Sequence, residues 1–586
     1  MTKPVLLAAV TVSMSITISA QTATPDWKTQ LARVSDEYFD QVYFHYAPSA
    51  GTQAGFHQYD PQLEDFSRKT IYEEIAKLHT FEQRIEAVQP SDSPADFVPR
   101  TDRETVLSNI RSQLLTLEVI RPWEKQPDNY SSTCANAAFV LMERKFAPPD
   151  DRLHSLIARE KQMPSLLAAA HANLRNPPHI FTDIAIEQLP GVISFFQHDV
   201  PDAFTDAKDP AVRADFAKSN AAVIAALTDY QQWLKSDVLP RSNGDFRIGA
   251  DTFRKKLLYD EMVDLPLDKL LEIGWADLRK NQDHFKQIAA ELDPGKDPHA
   301  VLEELGEQHP APGQLLDSFR STFNGLVDFI QSHHIVTLPS DVRPILEETP
   351  PFMRATTTAS MDTPGPYETH STQAYFNVTL PDPSMTPAEV DGYMHGFNVG
   401  TLISTAVHEA YPGHYVQFLW LPQAPSKVRK LLGANTDVEG WAHYCEQMML
   451  DEGYGQPGVG AKDERESKFL RLGQLQDALL RNARFIVGIE MHTGNMTVEQ
   501  AEDFFEKEGY QSKENAVVET KRGAGDPTYL YYTLGKLEIM KLREDVKRKE
   551  GSAFSLEKFH DDFLRQGFPP IKIVREAMLG DNSPSL

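Results

Sequence analysis

Apolar residues recur at a helical spacing over much of this chain. Leu153, Leu156 and Ile157 occupy positions i, i+3 and i+4, which places their side chains on one face of a helix. The same spacing recurs over residues 203–238, 253–292 and 299–336, and breaks that contain Pro or Gly separate these segments. The pattern predicts a mainly α protein.

The character of the sequence changes at about residues 337–385, where Pro, Thr and Ser dominate and the helical period is lost. Residues 372–380, with the sequence TQAYFNVTL, are rich in strand-forming residues and predict a β-strand. Pro381 and Pro383 end this strand, because proline has no N–H to donate within a sheet. We therefore expect a small sheet in this region.

The helical pattern then resumes with a clear start signal. Thr386 is a candidate N-cap, Pro387 stands at the first helical position and Glu389 follows three residues after the cap. A second candidate capping box spans 497–500. Further helical segments are predicted at about 397–411, 426–452, 528–549 and 554–566.

The composition narrows the classes of partner. The chain has 586 residues, of which 41% are hydrophobic and 24% charged, and its formal net charge is −26. Nucleic acids and anionic membranes are bound by concentrated Lys and Arg, so this charge argues against both. The sequence gives no indication of the oligomeric state.

The first 20 residues are typical of a secretory signal peptide. Lys3 gives a positive start, residues 5–18 are mainly apolar, and Ser19-Ala20 offers a small-residue cleavage site. The alternative is a buried N-terminal strand. No other stretch is long and apolar enough for a transmembrane helix. We therefore expect a periplasmic or secreted protein.

Two cysteines, Cys134 and Cys445, are present. They could form one disulfide in an oxidising compartment, but the sequence does not show whether they meet. Two separate buried thiols are the preferred interpretation.

The strongest chemical signal is the heptapeptide HEAYPGH at residues 408–414. In the zinc motif HExxH, two histidines at i and i+4 share a helix face, and the adjacent Glu is the general base. Here His414 follows His408 at i+6, about 240° further round an unbroken helix. Pro412 and Gly413 disturb a helix, so a bulge at this pair could bring His414 back toward His408. The alternative is an ordinary helix end.

A zinc site of this kind needs a third protein ligand. Glu439 lies 25 residues after His414, and the small Gly440 beside it would let its helix approach the first one closely. Glu446 is a rival third ligand. His443 shares a helix face with Glu439, so a structural role and a role beside the ligands or facing the substrate are both open. Asp437 could orient a ligand histidine, although an exposed Asp at a helix start is the simpler expectation.

These residues resemble the bacterial domain-of-unknown-function family 885, whose members carry HExxPGH followed by EGWAxY. That family is similar in architecture to the helical zinc peptidases that include angiotensin-converting enzyme and the carboxypeptidase Taq family. The resemblance implies one zincin-like catalytic domain over residues 21–586, with a cleft between two helical lobes and a small sheet beside the active helix. The lobes would span about 21–336 and about 337–586.

The resemblance also implies roles for residues outside the zinc motif. Tyr375 and Asn377 match the family's strand before the active helix, and an edge strand in such peptidases binds the extended substrate backbone. Tyr532 is the candidate donor to the oxyanion, with Tyr529 and Tyr531 as competitors. His492 and Arg543 match later segments of the family and are assigned to substrate binding. His443 is assigned to substrate binding as well, because it shares a helix face with Glu439.

The resulting prediction is a zinc peptidase that cleaves small or unfolded peptides. His408, His414 and Glu439 would hold Zn²⁺, and Glu409 would be the general base. One alternative is a zinc amidohydrolase that acts on a non-peptide amide or ester. The other is a non-catalytic binding protein of the same fold.

Overall fold

Helices dominate the computed structural model, which describes residues 26–354 and 357–586. Helices account for 70% of the protein and strands for 3%, which confirms the prediction of a mainly α protein. The predicted signal peptide, residues 1–20, lies outside the described residues. In the part of the chain that the structure describes, no helix combines the length and apolar character needed to cross a bilayer.

Sixteen α-helices precede the sheet in the described part of the chain. They are α1 (Trp27–Tyr38), α2 (Phe44–Tyr46), α3 (Pro48–Ala54), α4 (Arg68–Glu86), α5 (Phe97–Leu114), α6 (Pro122–Lys125), α7 (Asp128–Glu143), α8 (Pro149–Glu160), α9 (Met163–Asn173), α10 (His179–Gln197), α11 (Asp199–Ala203), α12 (Pro210–Trp233), α13 (Ala250–Glu261), α14 (Leu267–Leu292), α15 (Pro298–Gly306) and α16 (Leu315–Ser332).

Most of the first twelve helices pack around two apolar clusters. Helices α1, α4 and α5 bury Val34, Phe81 and Ile110 in one cluster. Helices α7 to α12 bury a second cluster, to which Leu156 and Ile157 contribute. The i, i+3, i+4 pattern in α8 therefore marks a buried helix face, as the sequence predicts.

A three-stranded sheet follows in the Pro- and Thr-rich region. Its strands are β1 (Ile345–Glu348), β2 (Ala359–Asp362) and β3 (Tyr375–Val378). The spatial order is β1-β3-β2, with β1 parallel and β2 antiparallel to β3. β3 confirms a strand within 372–380. β1 and β2 were not predicted, because neighbouring Pro and Thr residues hide such short strands.

Eleven helices complete the described chain. They are α17 (Pro387–Met394), α18 (Val399–Glu409), α19 (His414–Trp420), α20 (Lys427–Leu431), α21 (Asn435–Asp451), α22 (Glu464–Thr493), α23 (Val498–Lys507), α24 (Lys513–Gly525), α25 (Tyr531–Glu550), α26 (Leu556–Leu564) and α27 (Ile571–Leu579). A small ribbon, β4 (Gln456–Pro457) with β5 (Gly460–Ala461), precedes α22.

Both predicted capping boxes are confirmed. Thr386 and Thr497 each accept the backbone N–H three residues on, and the Glu or Gln at that position accepts in return. The predicted helix over 426–452 is instead divided into α20 and α21. Ala434, in the break, donates its N–H to the carbonyl of Phe568 at 2.8 Å. Contact with a distant segment therefore replaces a helical hydrogen bond.

Glycines allow two pairs of helices near the zinc motif to pack closely. A Cβ on Gly440 of α21 would lie 2.6 Å from the Cα of Gly535 on α25. A Cβ on Gly400 of α18 would lie 2.4 Å from the carbonyl oxygen of Phe469 on α22. Gly440 was expected to bring α21 against the motif helix, but its close neighbour is α25. The predicted pair of buried free thiols is confirmed for Cys134 and Cys445.

Candidate metal centre

The Pro-Gly pair interrupts the helix that carries the first histidine. α18 ends at Glu409, and α19 begins at His414. The N–H of Gly413 donates to the carbonyl of Val407 at 2.9 Å, so the chain folds back against the end of α18. We expected a bulge within one helix, whereas the structure shows a complete break followed by a new helix.

The turn between the two helices has room only for glycine at position 413. A Cβ on Gly413 would lie 1.8 Å from the carbonyl oxygen of His408. Pro412, which follows a cis peptide bond, accepts a hydrogen bond at its carbonyl from the indole N–H of Trp441 at 3.0 Å. The turn is therefore fixed to α21, the helix of the predicted third ligand.

This backbone path brings the predicted ligand atoms together. The Nε2 atoms of His408 and His414 each lie 3.4 Å from Oε2 of Glu439. The two imidazole rings are nearly perpendicular, with centroids 4.8 Å apart. One ligand atom from each residue lies within 4.8 Å of the other two. Two imidazoles and one carboxylate are the ligand set of a catalytic zinc site with an open fourth position.

The chemistry of this cluster fits a bound cation. Oε2 of Glu439 is buried yet accepts no hydrogen bond of normal geometry from any described residue. Burial raises the pKa of Glu439, but the two histidines outweigh it and hold this pKa well below its ordinary value. Burial lowers the pKa of His408, but the neighbouring carboxylates of Glu439 and Glu446 more than offset this and raise the pKa to about 9. A divalent ion would supply the positive charge that Glu439 otherwise draws from the imidazoles.

Glu446 lies behind His408 and is not part of the converging set. Its Oε1 is 2.7 Å from Nδ1 of His408, on the side of the ring away from Glu439. Its Oε2 lies 3.1 Å from Nδ1 of His443, and Arg481 approaches Oε1 at 3.0 Å. Glu446 as the third ligand is therefore wrong. Its position is that of a carboxylate that orients a ligand histidine.

Glu409, the predicted base, is the last residue of α18 and directly follows the first ligand. It is 8% exposed. Its carboxylate has no hydrogen-bonding or ionic partner among residues 26–354 and 357–586. A mostly buried carboxylate with no described partner therefore directly follows the first predicted ligand in the chain.

Tyr532 lies beside the cluster. Its ring stacks on His408 with centroids 6.3 Å apart, and its hydroxyl oxygen accepts a hydrogen bond from Arg522 at 2.8 Å. Burial raises the pKa of Tyr532, Arg522 opposes this rise, and Glu439 adds to it. The hydroxyl of Tyr531 instead donates to Asp526 at 2.6 Å.

Tyr529 is packed away from the cluster. It is fully buried, and its hydroxyl has no hydrogen-bond partner in the described structure. A Cβ on Gly523 would lie 2.2 Å from this hydroxyl oxygen, so the ring fills space against α24. Of the three candidate tyrosines, Tyr532 has its ring against a predicted ligand and a hydroxyl that is not committed to a carboxylate.

The strand predicted to bind substrate is not an edge strand. β3, which contains Tyr375 and Asn377, is the middle strand and pairs with β1 and β2 along its whole length. Its backbone is therefore unavailable to a peptide, and the expectation that this strand accepts the substrate is wrong. Asn377 is also only 1% exposed. β2, an outer strand of the sheet, packs beside α18.

Two histidines assigned to substrate binding are enclosed by protein. His443 is 0% exposed, and its Nδ1 faces Glu446. His492 is 1% exposed, and its Nε2 donates to the carbonyl of Gly523 at 2.8 Å. His492 also lies eleven residues beyond Arg481 on α22, or about 16 Å along the helix. Neither side chain is therefore exposed to a substrate in this structure.

Two further expectations are corrected by buried partners. Arg543 donates to the hydroxyl of Tyr444 at 3.1 Å, and it lies about 16 Å along α25 from Tyr532, so it is remote from the cluster. Asp437 was expected to be exposed but is fully buried, where it accepts a hydrogen bond from Gln417 at 3.0 Å. Gln417 lies one turn after His414, so this contact joins α19 to α21.

Three arginines to which the sequence assigned no role surround Tyr532. The guanidinium carbons of Arg481, Arg484 and Arg522 lie 5.5, 4.9 and 5.7 Å from the ring centroid. Arg484 is held by a two-point ion pair with Glu519 at 2.6 and 2.7 Å. Arg481 and Arg484 occur among apolar residues of α22, and charges within an apolar helix are the signal that could have identified them.

Comparisons with known proteins agree with the fold. A "putative lipoprotein of unknown function" from Shewanella oneidensis is 25% identical, with a TM-score of 0.75, and the match covers 95% of this chain and 100% of that one. A "putative lipoprotein" from Colwellia psychrerythraea is 18% identical, with a TM-score of 0.80, covering 95% and 99%. No curated protein matches the chain.

The sequence also matches a family over nearly its whole length. Residues 48–578 match DUF885, described as "Bacterial protein of unknown function". The matched region includes the broken helix and every residue of the cluster. This chain therefore belongs to the DUF885 family.

Proposed function

We propose that this protein is a zinc-dependent hydrolase that cleaves peptide bonds. The observation that carries the proposal is the convergence of His408, His414 and Glu439 on one point, with Glu409 directly after His408 in the chain. The broken helix brings the two histidines into this arrangement despite their i, i+6 spacing. Glu446 behind His408 adds the orienting carboxylate that such centres use.

The residues present define what each group would do. When bound, zinc supplies Lewis-acid polarisation of a carbonyl and lowers the pKa of water toward ~7. Glu409 accepts the proton of the attacking water at its carboxylate and then delivers it to the leaving amine. The free lone pairs of Glu409 support this role, because no described residue competes for them.

Tyr532 is the proposed donor to the negative oxygen that develops on the carbonyl. Its hydroxyl oxygen already accepts from Arg522, so its own O–H remains free to donate elsewhere. Arg522 also opposes the effect of burial on the Tyr532 pKa and so strengthens the phenol as a donor. A positioned donor of this type contributes about 10²–10³ in rate in acyl transfer.

An extended peptide is the proposed substrate, and β2 is its proposed docking edge. β2 uses one edge to pair with β3 and packs beside α18, which ends in Glu409. An outer strand can pair with a substrate backbone without recognising its sequence. We propose, with the helical zinc peptidases as the analogy, that a cleft between two lobes restricts access to small or unfolded peptides.

An extracytoplasmic location is part of the proposal. The descriptions of both solved neighbours contain the word lipoprotein. The N-terminal sequence of this chain has the pattern of a secretory signal. Both observations favour export from the cytoplasm.

A digest of a peptide library by wild type and Glu409→Gln tests the function. We expect the wild type with zinc to cleave and the variant to bind zinc but lose about 10² or more in kcat. Glu272→Gln is a control, since that side chain is 64% exposed on α14. Failure of the zinc-loaded wild type to cleave any peptide would contradict the proposal. A panel of non-peptide esters and amides then separates an amidohydrolase from a binding protein.

A further inference from the structure

A second group of metal-ligand side chains lies before α18, outside the cluster described above. It comprises His309, in the loop after α15, with Asp391 and His395 at the end of α17. Nε2 of His309 lies 3.5 Å from Oδ1 of Asp391, and Nε2 of His395 lies 3.8 Å from Oδ2 of the same carboxylate. One ligand atom from each of the three lies within 4.8 Å of the others.

The hydrogen bonding of His309 selects its ligand nitrogen. Nδ1 lies 2.9 Å from the carbonyl oxygen of Pro310, so Nδ1 carries the proton and donates it. In the neutral ring, Nε2 then keeps its lone pair and faces Asp391. A backbone carbonyl that holds Nδ1–H in this way is the usual support of a metal-ligating imidazole.

His395 presents a buried nitrogen with no hydrogen-bond partner. Its Nε2 accepts and donates no hydrogen bond of normal geometry within the described residues. Gly306 makes room for the ring, since a Cβ there would lie 2.8 Å from Nδ1 of His395. Glu307 places an oxygen 3.6 Å from the same Nε2. Asp391 is 60% exposed, which leaves a path from solvent.

We propose that His309, Asp391 and His395 form a second site for a divalent transition metal of the zinc class. Two imidazole nitrogens and a carboxylate oxygen suit Zn²⁺ and not Ca²⁺ or Mg²⁺, which prefer oxygen ligands. Glu307 or water completes the coordination. The site is independent of the proposed peptidase function, because it shares no residue with the first cluster.

The position of the site assigns it a structural role at the start of α18. The carbonyl of His395 accepts a hydrogen bond from the Asn398 side chain at 3.1 Å, and Asn398 caps α18 by accepting from the N–H groups of Gly400 and Thr401. His408 lies nine residues beyond the start of α18, about 14 Å along its axis. An ion here would hold the helix that presents Glu409 without touching its substrate.

Zinc titration of the metal-free protein by calorimetry tests this inference. The wild type should bind zinc at both groups, whereas Asp391→Asn and His309→Asn should each lose one equivalent. Asp317→Asn is the control, because that exposed carboxylate pairs with an arginine on α16 and should leave the stoichiometry unchanged. His414→Gln should still bind one equivalent of zinc at the second site. Loss of zinc from the first centre is therefore distinguished from loss at the second site.

A thermal measurement supports the same test. Zinc should raise the Tm of His414→Gln but not that of the double variant His414→Gln, Asp391→Asn, because only the second site remains in the first variant. The proposal is overturned if Asp391→Asn binds as many equivalents as the wild type. It is also overturned if zinc fails to raise the Tm of His414→Gln.

Discussion

Nδ1 of His408 lies 2.7 Å from Oε1 of Glu446, and this contact determines which nitrogen of His408 faces the centre. Because Nδ1–H donates to the carboxylate, Nε2 is directed toward Glu439 and His414. The same carboxylate is approached by Arg481 and His443. Glu446 therefore couples a predicted ligand to a buried ionic network.

Glu446→Gln is expected to weaken zinc binding about 10- to 100-fold, because loss of an orienting carboxylate reduces ligand basicity and alignment. Competition with a chelator of known affinity measures this effect. Glu452→Gln is the matched control, since that carboxylate is 38% exposed just after the end of α21. An unchanged zinc affinity in Glu446→Gln would show that Glu446 does not support the centre.

Tyr532→Phe is expected to lower kcat by about 10²–10³ with little change in KM, because the lost donor acts on charge that develops during reaction. Tyr529→Phe is the matched control. Its hydroxyl is buried without a partner, so its removal should leave kcat unchanged and stability unchanged or higher. Steady-state kinetics on one cleaved peptide compare the two. Equal kcat values for Tyr532→Phe and wild type would remove Tyr532 from the mechanism.

Gly413→Ala is expected to destabilise the protein by on the order of 3 kcal/mol and to reduce zinc binding. The added Cβ would overlap the carbonyl oxygen of His408, so the turn must open and His414 must move. Gly392→Ala is the control, because no atom lies within 4 Å of a Cβ there and α17 gains a better helix former. Denaturant unfolding and zinc content distinguish the two variants. If Gly413→Ala bound as many zinc equivalents as the wild type, the turn at Gly413 would not be needed for the first centre.

Glu160 makes stability depend on pH, away from the centre. Burial raises the pKa of Glu160 to about 8, and a hydrogen bond from Ser219 only partly opposes this. The folded state therefore holds a proton that the unfolded state loses near pH ~4.3. The stability that Glu160 contributes through this proton is fully present below the unfolded pKa and is lost as the pH rises through about 8. The free energy of unfolding therefore falls between these two pKa values.

Glu160→Gln keeps a neutral side chain at every pH. We expect the Tm of Glu160→Gln minus the Tm of the wild type to be larger at pH 8 than at pH 5. At pH 8 the wild type must either bury an ionised carboxylate or take up a proton in order to fold, and the variant does neither. Scanning calorimetry at both values tests this. The same difference at both pH values would show that Glu160 is ionised in the folded protein or has an ordinary pKa.

The sequence was most informative where spacing along the chain determines proximity in space. The heptapeptide at 408–414 and Glu439 predicted three side chains that the structure brings together. The sequence could not show whether Glu439 or Glu446 is the third ligand, because both lie on α21. The structure distinguishes them, since Glu439 approaches Nε2 of His408 and Glu446 approaches Nδ1.

Other features depend on partners that are distant in sequence. β3 is a middle strand because β1 and β2 flank it, and neither short strand has a periodic pattern. Asp437 is buried because α19 places Gln417 against it. Arg543 and His492 lie on long helices that carry them away from the cluster, which a motif match cannot show.

Anomalous scattering from a zinc-loaded crystal, measured at the zinc absorption edge, tests the three-ligand centre directly. We expect a peak between His408, His414 and Glu439, about 2.0–2.2 Å from both Nε2 atoms and from a Glu439 oxygen. Absence of a peak at this position would contradict the three-ligand centre, as would a zinc ion bound by Glu446 in place of Glu439.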